Sequence, residues 1–156
     1  MTFTLSARSL SRLKGVDPRL VAVVKRAIEL TTVDFAVSEG LRSPARQEEL
    51  FNQGATQIRV GGKHVVGQAV DLVAILQGRA SWELNLYDNI ADAMRTAAFE
   101  KQVPLRWGAA WNVPDIRLWP GTMEEAMNFY IDARRMEGKR PFIDAPHFEI
   151  TTSSPR

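Results

Sequence analysis

Two histidines serve the whole chain, and each has an aspartate close by. His64 stands seven residues before Asp71 in GGKHVVGQAVDLVA, and Asp144 stands three residues before His147 in FIDAPHFEI. A single such neighbourhood is more often a hydrogen-bonded structural pair than a site. Two of them, in a chain that uses histidine nowhere else, favour chemistry. Two imidazoles and one carboxylate suffice as the protein shell of a catalytic zinc, which keeps its fourth position for water. Such a metal lowers the pKa of its water to about 7, and hydrolysis then needs a base to carry the proton to the leaving amine. Asp144 suits that role, because Pro146 restricts Ala145 to extended conformations and so fixes the approach to His147. The same ligand types also form the facial triad of non-haem iron oxygenases. The seven-residue spacing of His64 and Asp71 is wide for that triad, and an oxygenase has no use for Asp144. A silent metal-binding module is the third reading, and a retained base argues against it.

The elements that must position these groups can be read outward from them. If HFEIT is a strand, His147 and Glu149 share one face while Phe148 and Ile150 share the other. Glu149 then either orients the ligand from behind or stands as a reserve base. In the buried strand expected at 68–75, Asp71 shares a face with Ala69 and Val73, where a carboxylate needs a cation. Gly67 supplies a turn between His64 and Asp71. Upstream, VDFAVSE alternates as a half-buried strand at 33–39, and Ser43–Pro44 opens a helix that Gly54 ends. Arg42 therefore sits on a fixed bend, where its fork can polarise a carbonyl, with Arg46 a turn further on. Arg46 and Arg106 are the candidates for any second cation facing a terminal carboxylate.

The remaining elements follow from caps and periodicity. Asp17–Pro18 starts a helix over 18–31, Ser81 is expected to cap a longer helix carrying Leu86, Ile90 and Met94, and LRW at 105–107 reads as a short strand. T-M-E-E at 122–125 is a capping box for a helix that stops at Gly138. Few, short strands interleaved with helices predict a small α+β domain: a short antiparallel sheet carrying the site, flanked by helices. The chain of 156 residues reads as a single domain over 1–156, with 151–156 a flexible tail and no separate wall-binding module.

Twenty basic against eighteen acidic residues leave a net charge of +2, too balanced to argue for nucleic acid. The absence of cysteine excludes disulfides, thiolate metal sites and cysteine nucleophiles. The N-terminus does not read as a secretory signal, and the apolar run 69–76 is too short to cross a bilayer and is interrupted by Asp71. A monomer accumulating in the cytoplasm, without membrane insertion, is the expectation.

Taken in order, S-E-G-x-R-S, K-H-x-x-G-x-A-V-D-L, W-G and D-A-P-H-F-E resemble the zinc D,D-peptidase superfamily. Among its members the nearest resemblance is to phage L-alanyl-D-glutamate endopeptidases, from about Leu10 through Ile150. That resemblance implies one catalytic zinc held by His64, Asp71 and His147, with Asp144 as general base and Arg42 polarising the scissile carbonyl. It implies the peptidoglycan stem as substrate, cut between L-alanine and D-glutamate. It also implies a phage endolysin made in the host cytoplasm and released to the wall through a membrane pore at lysis. Trp107 would line the substrate groove, unless it is a core aromatic. Two departures bear on specificity: Gly62 stands where relatives often carry serine, and W-G-A-A-W replaces W-G-G-D-W at Ala109 and Ala110. A D,D-carboxypeptidase acting on terminal D-alanine is the alternative within the superfamily.

Overall fold

The computed structural model describes residues 2–54 and 62–151. Helix α1 (Ala7–Arg12), not foreseen from periodicity, is capped by Ser6, whose hydroxyl accepts the Ser9 N–H. Helix α2 (Pro18–Leu30) begins where Asp17 accepts the Arg19 N–H and proline occupies the first turn. Strand β1 (Phe35–Glu39) is followed by α3 (Pro44–Asn52), which Ser43 caps. Strand β2 (Ala69–Leu76) runs into a short β3 (Arg79–Ser81), then α4 (Leu84–Lys101) and β4 (Leu105–Trp107). A 3-10 turn at Ile116–Leu118 and α5 (Met123–Met136), opened by the Thr122–Glu125 capping box, lead to β5 (His147–Ile150).

Two local expectations change. Ser81 does not cap α4: it lies in β3 opposite Ala74, its carbonyl accepts the Tyr87 hydroxyl, and the helix starts after Glu83 without a side-chain cap. The reason is a tight hairpin, whose loop residues Gln77 and Gly78 both take positive φ and keep the chain in the sheet for three more residues. Thr151, expected as the first residue of a tail, is buried, and its N–H donates to the Pro104 carbonyl. Residues 152–156 lie outside the described residues.

The strands form one antiparallel sheet in the order β1-β2-β5-β4, with β3 adding to β2. Directly opposed residues share a face. Val37 faces Leu72, and Val70 and Trp107 both face Phe148, all of them without solvent exposure. This inner face packs with α2 and α4, which also pack on each other, to make the core. The outer face carries Asp71 opposite His147, and Ala69 opposite Glu149.

A β-bulge between Val37 and Glu39 sets one further residue on that outer face. With strict alternation Glu39 would follow Val37 into the core. The extra residue in β1 turns it over, so that Glu39 stands opposite Asp71 instead.

Candidate metal centre and cleft

Asp71 sits in the middle strand of the sheet, with neighbours on both sides that bring charge to it. His147 comes from β5 by direct register. His64 comes from the loop before β2, and that loop is fastened to the bend after β1: the Arg42 N–H donates to the His64 carbonyl at 2.9 Å. Gly67 takes φ +75, the turn expected between the two ligands. Its carbonyl accepts the Asp17 N–H, tying the loop to the start of α2.

The turn carrying Asp144 and His147 is pinned from three directions. Gly108 donates to the His147 carbonyl and accepts the Asp144 N–H, both at 2.8 Å. The Leu72 N–H donates to the Pro146 carbonyl, and the Trp107 indole N–H donates to the Ala145 carbonyl. A Cβ on Gly108 would fall 2.2 Å from the Asp144 carbonyl oxygen and 3.0 Å from the His147 Cβ. Only glycine lets β4 approach this turn so closely, which is the physical content of the W-G motif.

Three atoms converge. His64 Nε2 and His147 Nδ1 lie 3.1 and 3.2 Å from Asp71 Oδ1, and the His64, Asp71 and His147 ligand atoms all lie within 4.8 Å of one another. The outward ring nitrogens are already engaged. His64 Nδ1 lies 2.9 Å from the Gly40 carbonyl, which can only accept, and His147 Nε2 lies 2.8 Å from the Glu149 carboxylate. Each outward nitrogen therefore carries a proton, and in the neutral ring the inward nitrogen presents a lone pair toward a carboxylate oxygen. Lone pairs facing one another across about 3 Å require a cation between them, so the donor set fits a metal ion. This group can hold one.

The same inward nitrogens can take up a proton in place of a metal ion, and a protonated imidazole then donates to Asp71. Burial pushes the Asp71 carboxyl up, but hydrogen bonds from both imidazoles outweigh it and hold the group well below the usual carboxylate range. Burial pulls His147 down, and its bonds to Asp71 and Glu149 overcome this, pushing it up to about 9. Glu149 is lowered, burial being outweighed by its bond to His147. Asp144 goes the other way: burial raises it, and the charge of Asp71 adds to the rise.

Around these groups opens a cavity of ≈ 640 Å³, lined by Arg42, His64, Asp71, Asp144, His147 and Glu149 among others. Arg42 is buried and its fork is fixed. Nε and Nη2 donate to Glu39 at 2.8 and 2.9 Å, and Nη1 donates to Gln47 at 2.6 Å. Nη2 stands 3.7 Å from the outer oxygen of Asp71.

Three other candidates lie elsewhere. Trp107 does not reach the groove: it is fully buried, parallel to Phe148 at 6.3 Å, with its N–H committed to Ala145. The tryptophan that lines the cavity is Trp111, whose ring centroid is 5.5 Å from that of His147. Arg46 stands outside the lining and pairs with Glu49 at 3.0 Å. Arg106 lies on the outer face opposite Glu149, also outside the lining, with a buried Nε that has no hydrogen-bond partner. The sequence reading missed Glu39, Gln47, Trp111, Arg134 and Arg140 as lining residues. Glu39 alone had a signal, since it belongs to the S-E-G-x-R-S stretch already singled out.

Known proteins share this arrangement of chain. The family described as phage L-alanyl-D-glutamate peptidase matches residues 1–151. The L-alanyl-D-glutamate peptidase of Escherichia phage T5 is 30% identical over 115 residues, covering 72% of this chain and 84% of that one. The crystal structure of the L-Ala D-Glu endopeptidase ChiX of Serratia marcescens is similar over 97% of this chain and 90% of its own, with 36% identity and a TM-score of 0.69.

Proposed function

This chain belongs to the phage L-alanyl-D-glutamate peptidase family, and from that premise we propose that it is a zinc-dependent peptidoglycan endopeptidase cutting the L-alanyl–D-glutamate bond of the peptide stem. The observation that carries the reading is the convergence of His64 Nε2, Asp71 Oδ1 and His147 Nδ1, with the outward nitrogens held by Gly40 and Glu149. Two imidazoles and one carboxylate are a zinc shell with room left for water, and zinc in that place supplies Lewis-acid activation at neutral pH.

The chain's own residues do the rest. Asp144, buried beside Asp71 and raised in proton affinity, takes the proton of the attacking water and passes it to the leaving amine. Arg42, locked by Glu39 and Gln47, presents a fixed positive charge at the cavity for the oxygen of the scissile carbonyl. Because its partners are set before substrate arrives, little reorganisation accompanies the reaction. Trp111 beside His147 gives an apolar surface for the stem.

A role in host lysis follows from the same reading: a wall-cutting enzyme stored in the cytoplasm acts once a membrane pore releases it. No helix among the described residues is long and apolar enough to cross a membrane. Digestion of purified sacculi with the metal-loaded protein tests the proposal. New N-terminal D-glutamate, with L-alanine ends left on the glycan, is expected. Release of free D-alanine alone would replace the endopeptidase with a D,D-carboxypeptidase. Metal analysis of protein purified without added metal should find one zinc per chain, and iron with oxygen-dependent turnover would point to an oxygenase instead.

A further inference from the structure

Not every charge that lines the cavity has a partner of opposite sign among the described residues. Of its acids, Glu39 is held by Arg42, Asp71 by two histidines and Glu149 by His147, while Asp144 is in no ion pair. Of its cations, Arg42 is taken up by Glu39 and Gln47, and the Lys63 ammonium donates to the Gln68 side chain at 3.4 Å. Arg134 and Arg140 also line the cavity, and among the described residues neither is in an ion pair. Both belong to one wall. Arg134 is in the last turn of α5, and its Nε and Nη2 donate to the Arg140 carbonyl at 3.4 and 3.2 Å. The chain between them is fastened back on the helix, with the Lys139 N–H donating to the Arg134 carbonyl and the Phe142 N–H donating to the Tyr130 hydroxyl.

That wall stands close to the chemistry. Phe142 stacks on Trp111 at 6.4 Å, and Trp111 lies 5.5 Å from the His147 ring. An extended peptide advances about 3.3–3.6 Å per residue, so a stem lying along these rings from His147 comes level with Phe142 within the first few residues beside the scissile bond. Arg134 keeps its Nη1, and Arg140 its whole guanidinium, outside any hydrogen bond or ion pair among the described residues, and donors of that kind on one cavity wall match a carboxylate. Glutamate has two carboxyl groups, and the peptide chain uses one of them; the other remains free on the D-glutamate side of the bond.

We infer that Arg134 and Arg140 form a carboxylate subsite that reads the leaving-group side of the stem. This rests on the peptidase reading above. The carboxylate comes either from D-glutamate itself or from the residue that follows it, and the chemistry recognised is the same. Such a subsite makes the enzyme selective for stems whose carboxyls are free over stems in which they are amidated.

The test uses the full-length, metal-loaded protein and four capped stem tripeptides beginning L-Ala–D-Glu. One carries both free carboxylates, one is amidated on D-glutamate, one is amidated on the third residue, and one is amidated on both. Arg134→Gln, Arg140→Gln and the double variant are compared with the parent, with metal content and melting temperature measured on each. The double variant should raise KM on the fully anionic peptide about tenfold, equivalent to 1.4 kcal/mol, with kcat within about twofold. The gap between variant and parent should close on the peptide amidated at the recognised carboxylate, and which amide closes it identifies the source. Equal cleavage of all four peptides by the parent overturns the subsite and leaves the peptidase standing, as does an equal loss by the variant on every peptide. Failure of the parent to cut any of them after L-alanine strikes the peptidase reading, and the subsite with it.

Discussion

The outer face of the sheet and the junction of α4 with α5 both bury an aspartate, and they treat it in opposite ways. At the outer face, Asp71 is surrounded by two imidazoles and faces the fork of Arg42, and its charge is favoured in spite of burial. At the junction, Asp88 on α4 is buried and, among the described residues, has no cation paired with it. Burial first, and then the charges of Glu124 and Asp92, push it up to about 6. Asp92 at least caps α5 by accepting the Met123 N–H. Asp144 lies between these cases: it sits in the same cavity as Asp71 yet is raised, by burial first and then by the charge of Asp71, against the pull of His147, His64 and Arg42. Two carboxyls driven apart within one site suit the division proposed above, with Asp71 staying charged to hold a cation and Asp144 accepting a proton.

The sharpest way to break that division is Asp144→Ala. Turnover should fall by about 10²–10⁴-fold, the range for a general base, while metal content stays at the parental value. Loss of metal together with activity would make Asp144 a ligand and end the contrast with Asp71. Next in size is Glu39→Gln, which takes the carboxylate from the Arg42 fork while leaving the side chain's shape. A buried guanidinium losing its charged partner should cost about 2–3 kcal/mol, visible as lower stability and lower kcat at near-parental KM. An unchanged kcat would mean that Gln47 alone fixes Arg42.

At the junction, Asp88→Asn should stabilise the protein at neutral pH. The folded pKa of about 6 exceeds the unfolded value near 3.8, so the folded state binds the extra proton. Stability from Asp88 is therefore greatest below about pH 4, declines as pH rises toward 6, and is lost above that. The difference between variant and parent should thus be near zero at pH 4 and grow to on the order of 2 kcal/mol by pH 7. A difference independent of pH in urea titrations would show that the Asp88 charge is not what destabilises the junction. The smallest effect separates the two tryptophans. Trp107→Phe should lose about 1 kcal/mol with the bond to Ala145 and leave KM alone. Trp111→Phe should shift KM with little change in melting temperature.

What could be read from the sequence divides along the same line. The group that could hold a metal was legible because the chain has only two histidines, each at a short offset from an aspartate, and strand alternation then gives the shared face of His147 and Glu149. Capping residues placed α2, α3 and α5 close to their true starts. The bulge in β1 was not legible: one extra residue leaves no compositional mark, yet it decides whether Glu39 enters the core or the site. Ser81 misled because a serine before a helix is a cap only if the chain has left the sheet, and a Gln77–Gly78 hairpin is a weaker signal than Asn-Gly. Trp107 and Trp111 are four residues apart, and the register of β4 on β5 is what places Trp107 on the inner face. Arg134 and Arg140 look like ordinary surface charge at a helix end until the fold brings Phe142 against Trp111.

The pairing of β2 with β5 also sets a schedule. His64 and Asp71 leave the ribosome long before His147, which arrives 76 residues after Asp71 on the last strand of the sheet. Until β5 pairs, the group that could hold a metal lacks His147, Asp144 has no fixed position, and the inner face of β2 lacks Phe148. Ribosome-bound chains of increasing length should therefore gain tight metal binding in one step once β5 has cleared the exit tunnel. A site whose groups stand on such distant stretches of chain forms only when β5 docks on β2.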